Sequence, residues 1–193
     1  MEIINPEKLL LKIIPILDRL NLDYFVTGGF AVSVWGRPRA TFDIDIVIEL
    51  VEPDAKDLVK ALRKIFKAGY IDENAIKEAI KYQKEFNFID SESGSKIDFW
   101  IKKDDELTIQ KFKRRKLEKI QGQNVYFISP EDLILSKLEW YQKSDSTRQL
   151  EDIESVLKIS GDKLDMSYLN KWAKKIGVLG TLNKLLSTSK FIK

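Results

Sequence analysis

The stretch GGFAVSVWGRPRATFDID, residues 28–45, decides how this chain reads. Its last residues, Asp43-Ile44-Asp45, alternate acid with apolar and run on into IVIEL. In a strand, residues two apart share a face. Ile44, Ile46 and Ile48 therefore point into a core, and Asp43 and Asp45 point together to the opposite face. Two carboxylates side by side repel unless a cation or a basic group lies between them. Alone, a D-I-D is more often the polar face of a solvent-facing strand edge.

The neighbours change that balance. Gly28-Gly29 follows a strand-like run, LDYFVT (22–27), and precedes a short helix, FAVSVWG. Glycine there lets a ligand approach the backbone, and the free N–H groups of a helix start bind phosphate. Arg37, Arg39 and Thr41 lie just before the carboxylates and offer donors to phosphate oxygens. Further along, KIDFWI (96–101) places Asp98 in mid-strand between Ile97 and Phe99, with Lys96 and Trp100 on its own face. A third carboxylate on an adjacent strand would complete an oxygen-ligand metal site. A phosphate loop beside Asp43, Asp45 and Asp98 suits metal-assisted phosphoryl or nucleotidyl transfer.

Composition narrows the chemistry in the same direction. The 193 residues include no cysteine and no histidine. That excludes disulfides, thiolate and imidazole metal sites, thiol nucleophiles and Ser–His–Asp hydrolysis. A metal here rests on oxygen ligands, which points to Mg²⁺, Mn²⁺ or Ca²⁺. With 44% hydrophobic residues the chain builds a globular core rather than a disordered segment. A net charge of +3 permits a polyanionic partner without demanding one. No apolar run is long enough to span a membrane, and MEIINPEKLL lacks a basic region followed by an apolar one, so a cytoplasmic protein is expected. Lysine outweighs arginine, Glu and Ile are abundant and Cys is absent, a composition resembling a thermophile's.

The rest of the chain supplies the frame. Residues 6–20 repeat on a helical period, with Pro15 expected to kink or break them. Helices are expected from Pro53 to about residue 67 and over 73–83. EFNFID and KIDFWI, joined by SESGS, read as a hairpin. Residues 104–119 read only as strongly charged, around KFKRRKLEK, and NVYFI (124–128) as a strand. Ser129-Pro130-Glu131-Asp132 is a helix start, with Ser as cap, Pro at the first position and acids in the first turn. Helices then follow over 130–142, 147–159, 166–176 and 179–187. The expected fold is α/β (α+β): a mixed β-sheet flanked by helices over residues 1–128, with a C-terminal helical region, 129–193, packed on it.

The pattern GG, then T-x-D-I-D, then a later apolar-Asp-apolar strand resembles the nucleotidyltransferase superfamily built on the DNA polymerase β-type fold. It is most similar to the small AbiEii/AbiGii toxin-like nucleotidyltransferases. SPEDLILSKLEW and SDSTRQLEDI are similar to that group's C-terminal motifs, a helix-borne Lys and then a helix-borne Asp after an Arg-containing turn. The resemblance covers roughly residues 22–160. It implies Mg²⁺, a nucleoside triphosphate donor, transfer of a nucleoside monophosphate and release of pyrophosphate. It also implies an acceptor that is RNA (such as tRNA), protein or a small molecule, and a toxin with a cognate antitoxin as the biological setting. A non-catalytic nucleotide- or partner-binding regulatory module of the same fold is the competing reading; the intact Asp43, Asp45 and Asp98 speak against it.

Two further residues fit this expectation. On a helical wheel Lys137 falls inside the apolar stripe of Ile134 and Leu138, where a lysine needs a partner or a route to water. The functional alternative is an ammonium aimed at triphosphate. Asp152 borders the stripe of the next helix, where it can pair with Lys137 or help activate an acceptor. In the basic run 111–119, Arg114 and Arg115 are the candidate ligand contacts, against the alternative of a solvated charged face or a path for RNA. The expected catalytic set is Asp43, Asp45, Asp98, Lys137 and Asp152. The expected nucleotide contacts are Gly28, Gly29, Arg37, Arg39, Thr41, Arg114 and Arg115.

Overall fold

The computed structural model describes residues 6–188. The first five residues, part of the stretch read as lacking a secretory signal, lie outside them, as do the last five. The chain divides into two compact units. Residues up to 30 together with 40–127 form the first, and 31–39 together with those from 128 onward form the second.

In the first unit the described residues form six strands, β1 (Tyr24–Thr27), β2 (Asp43–Ile48), β3 (Glu85–Ile89), β4 (Lys96–Ile101), β5 (Lys116–Ile120) and β6 (Gln123–Phe127), with burial alternating along β2, β3 and β4. They form one mixed sheet in the order β3-β4-β2-β1-β6-β5. β2 pairs with β4 in parallel and β1 with β6 in parallel; β1–β2, β3–β4 and β5–β6 are antiparallel. Ile44, Ile46, Ile48, Ile97, Phe99 and Ile101 are buried on the apolar face of β2 and β4. Burying a side chain of this size contributes about 1.5–3 kcal/mol, so the strand that carries Asp43 and Asp45 is held from behind by its own isoleucines.

Four helices belong to this unit: α1 (Pro6–Arg19), α3 (Glu52–Ile65), α4 (Glu73–Tyr82) and α5 (Glu106–Arg114). Residues 28–35 form α2. α1 runs through Pro15 without the break that was one of the two expected outcomes. Pro15 itself lies on the exposed side of the helix. The segment 104–119, read from the sequence only as strongly charged, contains α5 and the edge strand β5. Asp105 caps α5 by accepting the backbone N–H of Thr108 at 2.8 Å, and β5 pairs with β6 through a turn at Gln121-Gly122. Gly122 stands at φ +86°, which glycine adopts without the strain a side chain would add.

The second unit is helical: α6 (Pro130–Ser144), α7 (Thr147–Ser160), a 3₁₀ turn (Gly161–Lys163), α8 (Met166–Lys175) and α9 (Leu179–Thr188). The helix start read at 129–132 forms as expected: the Ser129 hydroxyl accepts the Asp132 backbone N–H at 3.2 Å and donates to the Asp132 carboxylate at 2.8 Å. The Tyr168 hydroxyl donates to the other Asp132 oxygen at 2.7 Å, so this buried acid is satisfied. Residues 31–39 are tied to these helices by polar contacts. Trp35 Nε1 donates to the Ile128 carbonyl at 2.8 Å, Ser160 Oγ to the Trp35 carbonyl at 2.6 Å, and the Arg37 backbone N–H to Ser155 Oγ at 2.6 Å. No helix of the described residues is long and apolar enough to cross a membrane.

Candidate active site

The register of the sheet assembles the polar face. Asp45 lies opposite Thr27 on β1 and opposite Asp98 on β4. Asp98 in turn lies opposite Asn87 on β3. A single row, Thr27–Asp45–Asp98–Asn87, therefore crosses four neighbouring strands. Asp43 stands two residues from Asp45 on the same face and is paired with Lys96. Because the apolar residues between them are buried, a slip of one residue would turn every isoleucine out and every carboxylate in, so burial of the isoleucines fixes this arrangement.

Gly28 closes one side of the face. Its backbone sits at φ +63°, and a Cβ placed on it would collide with the carboxylate of Asp45. Both the conformation and the close approach require glycine. Gly29 is buried behind it in the first turn of α2. Thr41 Oγ1 donates to the Asp43 carbonyl at 3.2 Å and so shapes the entry to β2.

The cation in place on the carboxylate face is Lys96. Its Nζ stands 2.9 Å from Asp98 Oδ2, with the lysine side chain 35% exposed and the aspartate 13%. The hydrogen bond to Asp98 raises the Lys96 pKa, opposed by partial burial and reinforced by the charges of Asp98, Asp43 and Asp45. All three carboxylates thus act on one ammonium. The other oxygen, Asp98 Oδ1, is buried without a hydrogen-bond partner, a costly condition for a carboxylate.

These features fit a hard divalent cation. The donors are all oxygens, and the unpartnered Asp98 Oδ1 is an acceptor that a cation would satisfy. In their present rotamers no three acidic side chains among the described residues group tightly enough to hold a metal. The sequence leads one to expect a convergent trio. The backbone brings the three together, and the side chain of Asp98 is turned to Lys96.

Lys137 and Asp152 lie together in the second unit. Lys137 is buried, and its Nζ meets Asp152 Oδ2 at 2.8 Å. Arg39 completes the group with a two-pronged contact to Asp152, Nε to Oδ1 at 2.8 Å and Nη2 to Oδ2 at 2.9 Å. Asp152 is 3% exposed. Burial alone would raise its pKa, but the hydrogen bonds and charges of Arg39 and Lys137 outweigh burial and hold it below the usual carboxylate range. Of the two roles read for Asp152, pairing with Lys137 is the one this geometry displays.

The remaining candidates are placed as follows. Arg37 is exposed. Arg114 ends α5, half-buried. Arg115 donates to Asp23 at 2.6 Å and stacks over the rings of Tyr126, at 4.5 Å, and Phe112, at 5.8 Å. Its guanidinium braces β5 and β6 against β1. Sequence reading missed Lys96 as a partner and Asn87 as a member of the row. The signal for Lys96 was present, since a lysine two residues before a strand aspartate shares its face. Asn87 becomes visible only once the hairpin register is known.

A mixed sheet carrying adjacent aspartates on β2, a third on the parallel neighbour β4 and a glycine pair at the start of α2 is a nucleotidyltransferase-type fold. Residues 6–185 match the family described as nucleotidyltransferase of unknown function (DUF6036), and the chain belongs to it. No curated protein sequence matches the chain. Among solved structures it is similar to the antibiotic-resistance factor ANT(2'')-Ia in solution, with a TM-score of 0.58 and 14% identity over 93% of this chain and 97% of that one. The crystal structure of ANT(2'')-Ia with adenylyl-2''-tobramycin gives a TM-score of 0.58 and 16% identity over 88% and 97%. The lincomycin-bound lincosamide antibiotic adenylyltransferase LnuA gives 0.54 and 14% over 79% and 97%. At these identities the likeness is one of fold.

Proposed function

We propose that this nucleotidyltransferase moves a nucleoside monophosphate from a nucleoside triphosphate to an acceptor hydroxyl, with Asp43, Asp45 and Asp98 holding Mg²⁺ (or Mn²⁺). The acceptor oxygen forms a bond to the α-phosphorus as the bond from that phosphorus to the β-bridging oxygen breaks, and pyrophosphate leaves. When bound, the divalent ion supplies charge neutralisation for the phosphates and lowers the cost of the developing oxyanion. Asp43 and Asp45 present carboxylate oxygens from one strand, and Asp98 presents them from its parallel neighbour. Asp98 would give one carboxylate oxygen to the ion and leave the other to accept the proton of the attacking hydroxyl. Gly28 and Gly29 give the triphosphate access to backbone N–H groups at the start of α2.

The observation that carries this reading is the register pair Asp45–Asp98 with Asp43 on the same face. A small hydroxyl-bearing molecule is the first acceptor class to test, because two of the similar folds are seen with adenylyl-tobramycin and with lincomycin. RNA, the acceptor that fits the AbiEii/AbiGii-like motifs and a toxin role, is favoured by the basic run 111–119 and belongs in the same assay. The assay incubates the protein with each α-³²P-labelled triphosphate, Mg²⁺ and, in turn, an aminoglycoside and lincosamide panel, total RNA and total protein. Label on one acceptor class, lost in Asp45→Asn, supports the proposal. Absence of transfer and of pyrophosphate release with every donor and acceptor favours the non-catalytic binding module.

A further inference from the structure

Lys96 stands on the carboxylate face without an assigned task. It pairs in register with Asp43 and holds Asp98 Oδ2 at 2.9 Å. A salt bridge on a solvated edge needs only two partners. Here the ammonium grips Asp98 and stands opposite Asp43, on the face that carries all three oxygen groups of the proposed metal site. The lysine side chain is 35% exposed, so its tip has a route to water, and a four-carbon stem lets it swing there without moving the strand. Asp98 keeps its second oxygen buried and unpartnered while Lys96 holds the first.

We propose that Lys96 is a built-in counter-ion of the carboxylate face, which an incoming divalent cation displaces, so that Lys96 sets how tightly the site takes metal. The inference rests on the metal site of the preceding section. In the metal-free protein the ammonium relieves repulsion among Asp43, Asp45 and Asp98. A divalent ion competes for the same oxygens, and a positive charge left beside it weakens its binding. Exchange frees Asp98 to turn toward Asp43 and Asp45, which accounts for three carboxylates that share a face without grouping as ligands. Lys96 is thus a positioning residue: it acts on Asp98 and on the metal rather than on the acceptor.

The test measures Mn²⁺ affinity by titration calorimetry, without nucleotide, for wild type, Lys96→Met, Lys96→Arg and Asp45→Asn. Removing one positive charge a few ångströms from the ion is expected to tighten Mn²⁺ binding about tenfold in Lys96→Met, and retaining it in Lys96→Arg is expected to leave affinity within about threefold of wild type. Unchanged or weaker binding by Lys96→Met, while wild-type binding still requires Asp45, overturns the role of Lys96. Equal binding by wild type and Asp45→Asn instead overturns the metal site itself, which separates the two failures. A second measurement uses the wild type alone, so a misfolded variant cannot obscure the result. Acetylation of Lys96 by an amine-reactive reagent, read by mass spectrometry, should rise when Mn²⁺ releases the ammonium. Labelling that stays constant or falls on adding Mn²⁺ overturns the displacement.

Discussion

Asp45 on β2 and Asp98 on β4 are direct partners across a parallel pair of strands, with Ile44–Ile97 and Ile46–Phe99 as the flanking pairs on the buried face. Parallel strands need a crossover between them, here one that runs through two helices and the strand β3. Two like charges so placed cost stability that only a counter-charge can return. The chain keeps them together by burying the isoleucines between them, and Lys96 supplies a positive charge.

Gly28 gives the sharpest local test. At φ +63°, alanine is strained by about 1 kcal/mol. Its Cβ would also displace the Asp45 carboxylate. Gly28→Ala is expected to lose about 2–3 kcal/mol in chemical denaturation and to lose metal-dependent stabilisation with it. A variant with wild-type stability would show that Asp45 can turn aside freely, and that the close approach of the glycine has no structural role.

Asp45→Asn separates repulsion from ligation. Removing one of three like charges relieves strain, but Lys96 already offsets much of it, so the apo protein is expected to gain no more than about 1 kcal/mol. The same change should abolish the rise in melting temperature on adding Mg²⁺ and nucleoside triphosphate, since binding only the native state raises its stability. Melts of both proteins with and without these ligands check this. Equal stabilisation of the two would place the ligand away from Asp45.

How much of this could be read from the residues alone depends on how local the signal was. The D-I-D alternation, the hairpin around SESGS and the Ser129 cap are short-range patterns, and each forms where the sequence puts it. Lys137 lies in its apolar stripe and is buried accordingly. α5 and β5 escaped because their charged surfaces mask the period. Leu107 and Phe112 are the buried anchors of α5, and β5 is an edge strand with Leu117 exposed. The partners of Arg39 and Arg115 escaped for another reason. Arg39 meets Asp152 and Arg115 meets Asp23, contacts between residues far apart in the chain that no spacing rule foretells.

Arg115 already has structural partners, and we propose that these, rather than a nucleotide, are what its guanidinium serves. Its side chain is 20% exposed, with the guanidinium bound to Asp23 and stacked on Tyr126. Loss of the stacking and of the stem's packing in Arg115→Ala is expected to cost about 1–2 kcal/mol. Affinity for nucleoside triphosphate, measured by calorimetry below the melting temperature, should remain within about twofold of wild type. A large loss of nucleotide affinity at unchanged stability would instead make Arg115 a ligand contact.

The buried group Arg39–Asp152–Lys137 makes the second unit sensitive to acid. The carboxyl of Asp152 is held below the ordinary range, so the folded protein binds that proton less readily than the unfolded chain does. Its contribution to stability is therefore complete above the ordinary carboxylate pKa of about 3.9 and is lost as pH falls through the lower folded value. Asp152→Asn leaves the buried Lys137 ammonium without its counter-charge and should cost about 3 kcal/mol at neutral pH. Lys137→Ala also breaks the pair, so a loss of about 2–3 kcal/mol is expected beside any loss of activity. Activity must be compared at a temperature where both proteins are folded. Arg39→Ala, with a more exposed side chain, should cost less, about 1–2 kcal/mol. Urea denaturation from pH 7 down to pH 2.5 reads both effects. Wild type and Asp152→Asn should differ most at neutral pH, and the gap should narrow below pH 4 as the wild-type carboxylate is protonated. A gap that stays constant over that range would mean that Asp152 contributes shape rather than charge, and the ion group would then have no part in the acid response.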